Sequence, residues 1–534
     1  MSKNIKKEFE LTEAQLAKLP QGKKLRFHLT KVKRDNGDVY VISNATYTGK
    51  DDKGITRTKF VGSRLLGHFA NGDESVLIPN RPRNWKQLEL ARQTDREVAA
   101  ALEKAKNPPT SIPVHEIKLA EGVVKFITEF TAKYEDENEP LAVVRVRREF
   151  IMLVAILSGM HGGCDAVSIA DYWNRHKEEL KLRITDFPDV TISADTVWKV
   201  LCTTPESVNS ALLRTMYSRM VDLSFHRYVG LDGQAVKASR NEETGRSYQI
   251  AGVYDVSSKQ WIDHVRIEAK TNEIPTFPKL VKTLDLHGCT VTADALNTVI
   301  PLAEAILSSG GHYCLAVKDN KGGLADALKD HFNSRLWMAR DAKTVFDTPK
   351  VSHGRLDYRD YFFLPSYRLV GFEDEWPECS VGTIAMVKHY SVEKRQRWSK
   401  LDNKTVQAEK ANAEAEEIRF YISSHRFDDE KTPERLATAI RKHWGIEAAH
   451  YILDVDFGQD WQQCKQPTYL MATATIRKIA TNLLQKILEN GGTELNEDSL
   501  RRLARNLDRP SEALRHIAAA CPRLAVDYEE NTGA

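Results

Sequence analysis

Nothing in this 534-residue chain groups its cysteines. The seven (Cys164, Cys202, Cys289, Cys314, Cys379, Cys464 and Cys521) are scattered, odd in number and never spaced as CxxC. That argues against a disulfide framework and a zinc ribbon, and for a reducing compartment. Long apolar runs are also missing. The longest, FIMLVAIL from Phe150, is too short to span a bilayer, and the N-terminal MSKNIKKEFE lacks the apolar stretch of a signal peptide. Neither charge sign dominates, with 77 Lys and Arg against 74 Asp and Glu, a net +3. A soluble cytoplasmic protein with no membrane partner is expected. With 41% hydrophobic and 28% charged residues the composition is that of a globular protein, and the length calls for three or more folding units.

The charge that is present is unevenly spread. Residues 1–70 hold 15 Lys and Arg against 7 Asp and Glu, an excess that points to a polyanion partner or simply to solubility. Residues 23–62 alternate as an antiparallel meander, with a hairpin turn at Asn36-Gly37 and basic side chains that include Arg57 and Lys59. A small basic β-rich domain is expected over 1–85, and a helical linker region with a helix at Trp85–Lys106 over 86–140. A helical domain follows over 141–222. Its helix after Ser193, a good N-cap, permits a helix-turn-helix-like reading beside plain helical packing.

From His226 the period changes to that of strands. Three strands, then helix, strand, helix, strand predict an α/β layout with a mixed sheet over 223–323. Asp232 and Asp294 close two of these strands, where open α/β sheets place their sites. A β-rich insertion is expected over 324–428, the rest of the core over 429–490 and a polar helical tail over 491–534.

Within that last part of the core, Leu436–Asp460 reads mostly as one amphipathic helix. Leu436, Ile440, Trp444, Ile446, Tyr451 and Leu453 make its apolar stripe, while His443, Glu447, His450 and Asp454 line another side. Asp232, Asp294 and Glu447 are the donor type that a pair of hard divalent cations requires.

The stretches LDGQAVKASR, TNEIP, LDLHGCTVTADALNT, YCLAVKDNKGGL, SHGRLDYR, RFYISS and HWGIEAAHYILDVDF resemble a known family. They are similar to DDE transposases of bacterial insertion sequences, in the ISAs-type, H-repeat-associated branch, over roughly residues 140–490. The resemblance implies a ribonuclease H-like core broken by the β-rich insertion, with Asp232, Asp294 and Glu447 as catalytic, metal-binding residues. It implies Mg²⁺, with Mn²⁺ as substitute, and double-stranded DNA as partner, both element ends and target, held by a homodimer. Lys237 and Arg240 after the first Asp, and His353 and Arg355 of a His-Gly-Arg element, are implied DNA contacts; Lys318, Arg441, His443, Arg57 and Lys59 complete the candidate set.

There are departures. Gln234 and Ala238 replace the more usual Lys and Gly, and the Tyr-Arg-Glu-Lys signature of another branch reads Ile440, His443, Glu447, Asp454 here, so hairpin-type excision is not implied. The implied activity is end binding, cleavage and strand transfer by a nucleoid-associated bacterial protein. The competing readings are a nuclease of the same fold without strand transfer, and a domesticated, non-catalytic DNA-binding protein.

Overall fold

The computed structural model describes residues 26–33, 39–50, 56–69, 78–79, 114–132, 146–240, 245–268, 272–318, 322–333, 342–348, 350–352, 355–369, 376, 381–393, 415–491 and 499–524. The chain forms two compact units, Met1–Ser111 and Ile112–Ala534. In the first, β1 (Arg26–Lys33), β2 (Val39–Lys50), β3 (Thr56–Phe69) and β4 (Ile78–Pro79) make a four-stranded antiparallel meander in chain order. The turn at Asn36-Gly37 and the helix expected at Trp85–Lys106 lie outside the described residues.

The second unit begins with helices α1 (Val114–Ala132), α2 (Arg148–Met160), α3 (Ala166–Arg183), α4 (Ala194–Thr203) and α5 (Glu206–Met220). The starts of α3 and α4 follow from capping. Asp165 accepts from the amides of Val167 and Ser168 at 3.0 Å, and Ser193 accepts from Thr196 N at 3.2 Å. Every residue of α2 is buried, which is why FIMLVAIL shows no polar face.

The α/β part follows with β5 (Arg227–Ala235), β6 (Gln249–Asp255), β7 (Gln260–Ile267), α6 (Glu273–Val281), β8 (Cys289–Ala293), α7 (Ile300–Ser308), β9 (His312–Val317) and α8 (Gly322–Asn333). Then come β10 (Lys343–Phe346), β11 (Lys350–Ser352), β12 (Arg355–Pro365), β13 (Thr383–Glu393) and β14 (Glu417–Ser423). All belong to one ten-stranded sheet of order β10-β12-β13-β14-β9-β8-β5-β6-β7, with β11 on β12. β5 runs parallel to β8, β8 parallel to β9, and β6 and β7 antiparallel. Strands from the stretch expected as an insertion thus extend the same sheet, since β14 pairs with β9 from Phe420↔Val317 to Ser423↔Cys314.

Both faces of the sheet are covered. Phe277, Leu302, Ile306, Leu324 and Leu328 of α6–α8 pack with Val229, Val291 and Leu315. On the other face, α9 (Thr432–Lys442) buries Leu436 and Ile440 against Cys314, Tyr361, Phe363 and Val387. After α9 the expected single helix breaks. It restarts as α10 (Gly445–Tyr451), widens into a π-helical turn at Ile452–Asp456 and stops at Gly458, whose φ of +64° is left-handed. The break changes the stripe: Trp444 is 46% and Tyr451 63% exposed, so neither is core.

The long helix α11 (Pro467–Gly491) runs through the helical core. Asn482 on it clamps the edge strand β7, accepting from Trp261 N at 2.7 Å and donating to Trp261 O at 2.9 Å. The tail is not a solvated appendage. Within α12 (Leu500–Asn506) and α13 (Pro510–Ala520), Leu503, Leu514 and Ile517 are buried in the same core as α2.

Candidate active site

Asp232 lies near the end of β5 and Asp294 directly follows β8, so the parallel pairing of these strands brings both to one edge of the sheet. Helix α10 seats across this edge because Gly230 of β5 lies beneath Ile446, where an added Cβ would stand 3.4 Å from the Ile446 side chain. That contact sets Glu447, one residue on, beside the two strand ends.

Two histidines of the same segment orient the aspartates. His450 Nδ1 lies 3.3 Å from Asp232 Oδ2, and Gly233 N–H donates to Asp232 Oδ1 at 2.9 Å. The His450 ring is buried and stacks on Trp261 at 5.3 Å, so it has little freedom to turn away. His443 Nδ1 is 2.9 Å from Thr292 Oγ1, which points Nε2 at Asp294 Oδ1, 3.7 Å away. The imidazole beside Asp294 holds its carboxyl below the usual range.

The Glu447 carboxyl shifts upward, through desolvation first and then the negative charge of Asp232, with Asp294 adding to it. Glu273, at the start of α6, is pushed up by burial and by the same two aspartates, against a hydrogen bond from Asn297. Four carboxyl groups therefore share one electrostatic field. Their oxygens suit Mg²⁺ or Mn²⁺, hard ions that take carboxylate ligands and keep several waters. Among the described residues, no group of three or more His, Cys, Asp or Glu side chains is close enough to hold a metal ion. The carboxylate donors of Asp232, Asp294 and Glu447 are of the type that hard divalent cations take, with water or substrate oxygens completing the shell.

A third link ties the loop after Asp232 to the π-helical turn. Gln234 donates to Asp454 Oδ1 at 2.7 Å and accepts from Gln459 at 2.8 Å, while Lys237 pairs with Asp460. Lys237 makes this pair while staying exposed at the surface. Arg441 is also paired, with Asp347 at 2.9 Å, and His443 faces Asp294 rather than open surface. Lys318, just beyond β9, lines a cavity of about 630 Å³ next to Asp294, together with Arg419, Lys329, His443 and Trp444. Arg240 is exposed. His353 and the side chains of Arg57, Lys59 and Arg355 lie outside the described residues.

Sequence reasoning missed the placements of Glu273, His450 and Arg419. TNEIP and RFYISS were visible as motifs, but a motif carries no information about which strand end it faces. His450 was visible at helical spacing from Glu447, and its contact with Asp232 is the consequence.

The sheet order, the antiparallel β5–β6–β7 and the parallel β5–β8–β9 define a mixed α/β protein consistent with a ribonuclease H-like core, with acids gathered at one edge. Residues 221–483 match the family described as "Transposase DDE domain". It is 26% identical to "H repeat-associated putative transposase YhhI" of Escherichia coli K12, over 62% of this chain and 83% of that one. It is also 26% identical to "Putative transposase YncI" of Escherichia coli O157:H7, over 63% of this chain and 81% of the relative. "Putative protein YbfL" of Escherichia coli K12 matches at 26% over 62% of this chain and 84% of its own. Among the described residues, no helix is long and apolar enough to cross a membrane.

Proposed function

We propose that this chain is the transposase of a bacterial insertion sequence. It binds the terminal inverted repeats, cuts a phosphodiester at each end to free a 3′-hydroxyl, and joins that hydroxyl to target DNA. The observation that carries the reading is the meeting of Asp232, Asp294 and Glu447 at one sheet edge, inside the stretch that matches a transposase DDE domain.

Asp232, Asp294 and Glu447 would hold Mg²⁺ or Mn²⁺. When bound, such ions would supply activation of an attacking oxygen and charge stabilisation of a leaving one in displacement at phosphorus. The chain's own part is positional. His450 and the Gly233 amide fix the Asp232 carboxylate, and His443 fixes that of Asp294. Lys318 and Arg419, at the cavity beside Asp294, add positive charge for a DNA phosphate. Arg240, His353, Arg355, Arg57 and Lys59 are further DNA contacts, and the helical domain around Ser193–Leu201 is a second recognition module. Two ends must be joined in one event, so the working assembly is a homodimer on DNA.

The test is a plasmid carrying the element's ends, incubated with purified full-length protein. Mg²⁺ or Mn²⁺ should yield nicks at the ends and joined products, and Ca²⁺ should yield assembly without turnover. Cuts without joined product would make the protein a nuclease. Activity surviving EDTA would overturn the metal assignment.

A further inference from the structure

Glu273 lies outside the candidate triad, yet its two carboxylate oxygens face the two aspartate-bearing loops separately. A Cβ added to Gly233, the residue after Asp232, would run into Glu273 Oε1 and Cδ. The other oxygen, Oε2, accepts from Asn297 Nδ2 at 2.8 Å. Asn297 is fully buried, and its backbone N–H donates to Asp294 O at 2.9 Å, which ties it to the turn that Asp294 begins. Gly233 in turn donates to the Asp232 side chain. One carboxylate therefore touches both loops, each within a few bonds of a metal-binding candidate.

The base of this brace is rigid. Asn272 caps α6 by accepting from Ile274 N at 3.1 Å, and Phe277, Leu280 and Val281 anchor the helix in the sheet core. Glu273 thus projects from a fixed helix start rather than from a mobile loop, and its position is set independently of both aspartates.

Resting on the reading of Asp232 and Asp294 as cation ligands, we infer that Glu273 is a positioning residue that sets the separation of these two carboxylates through Gly233 and Asn297. It acts as an oxygen acceptor and steric stop, not as a ligand. Removing a partner one step beyond a metal ligand typically changes metal affinity or activity by about 10–100-fold.

The experiment measures Mn²⁺ binding to the full-length protein by calorimetry, alongside thermal unfolding midpoints, for the parent, Glu273→Ala, Glu273→Gln, Asn297→Ala and the Glu273→Ala/Asn297→Ala pair. Glu273→Ala should weaken Mn²⁺ binding by roughly 10–100-fold. Glu273→Gln keeps an acceptor for Asn297 and should stay close to the parent. The double variant should be no worse than the worse single one in either readout, because both substitutions break one brace. Mn²⁺ binding and unfolding by Glu273→Ala that match the parent would overturn the inference. So would Glu273→Gln binding as weakly as Glu273→Ala, which would make Glu273 a ligand, and so would additive effects in the pair. Asp232→Asn judges the underlying reading separately. If it binds Mn²⁺ like the parent, Asp232 is not a ligand, and non-additive unfolding midpoints still decide whether the brace exists.

Discussion

The two ends of the central strands carry opposite solutions to the problem of placing titratable groups together. At the carboxyl ends of β5 and β8 are Asp232, Asp294, Glu273 and Glu447, like-charged, with Asp294 63% exposed and both glutamates shifted upward. At the amino ends of β5, β8 and β9 is a group of histidines. Thr290 Oγ1 lies 2.9 Å from His226 Nε2 and 2.7 Å from His425 Nε2, and His312 stacks on His425 at 4.2 Å. Here burial and neighbouring positive charge hold the imidazoles neutral, with His425 brought down to about 3. One end pairs its polar atoms around the buried His425, although His312 at its margin is exposed. The other keeps carboxylates in mutual repulsion and open, an arrangement that costs stability and has value only for something that binds there.

The sharpest way to break this contrast is to remove charge from the open end. Asp232→Ala, Asp294→Ala and Glu447→Ala should each lower DNA cleavage by on the order of 10²–10³-fold or more, the scale on which transition-state charge stabilisation disappears. Binding to DNA ends should persist, and the unfolding midpoint should stay level or rise because repulsion is relieved. Cleavage at the parental rate by Glu447→Ala would remove it from the site and turn attention to Asp454.

The closed end should show the reverse, with stability reduced and chemistry kept. The folded chain resists protonating His425 until about pH 3, whereas the unfolded chain takes up the proton near its ordinary 6.5. The stabilisation is therefore complete above 6.5 and declines as pH falls towards 3, by about 1.4 kcal/mol per pH unit. His264, buried beside Thr475 and held far below 6.5 by burial, adds to the same slope. His425→Asn should flatten but not abolish the acid dependence measured by urea unfolding between pH 7 and 5. An unchanged slope would show that His425 is protonated in the folded protein.

A buried cation beneath the open end refines the comparison. Lys478 is fully enclosed, its Nζ has no hydrogen-bond partner among the described residues, and it lies 4.7 Å from the centre of the Trp261 ring on which His450 stacks. Burial, and next the charge of Arg477, bring it down to about 7. Its folded value is below the unfolded 10.5, so its penalty accumulates as pH falls from 10.5 to 7. Lys478→Met should raise stability at pH 7 by about 1–4 kcal/mol. A decrease of that size instead would mean that the ammonium makes a stabilising contact with Trp261 that outweighs desolvation.

The pattern of strands was legible because β5 to β9 are short runs rich in apolar residues, with β6 ending in Asp255 and β8 followed by Asp294, and the capping of α4 by Ser193 was legible for an equally local reason. The break between α9 and α10 was not. Trp444 and Tyr451 fit helical spacing, and only the docking of Ile446 over Gly230 decides which residues face inward. The joining of β14 to β9 was hidden as well, since pairing across a long intervening stretch leaves no local mark. At the site, residue types could be read but pairings could not. Lys237 and Arg441 are candidate DNA contacts, and their ion pairs with Asp460 and Asp347, distant in sequence, left no mark there.

The smallest expected effect on chemistry comes from removing residues 1–111, the first compact unit, which leaves both ends of the central strands in place. If the basic meander docks DNA ends, the shortened protein should bind them more weakly and with a shallower salt dependence. Every phosphate that the protein no longer neutralises takes about 0.9 from the slope of log K against log salt. Non-specific nicking with Mg²⁺ should survive, because Asp232, Asp294, Glu447 and the histidines that orient two of them all lie in the second unit. Filter binding across a salt series, run beside a nicking assay, separates the two quantities. An unchanged slope would move recognition to the helical domain around Ser193–Leu201, while absence of nicking in a folded truncation would show that the open end is not a self-sufficient site.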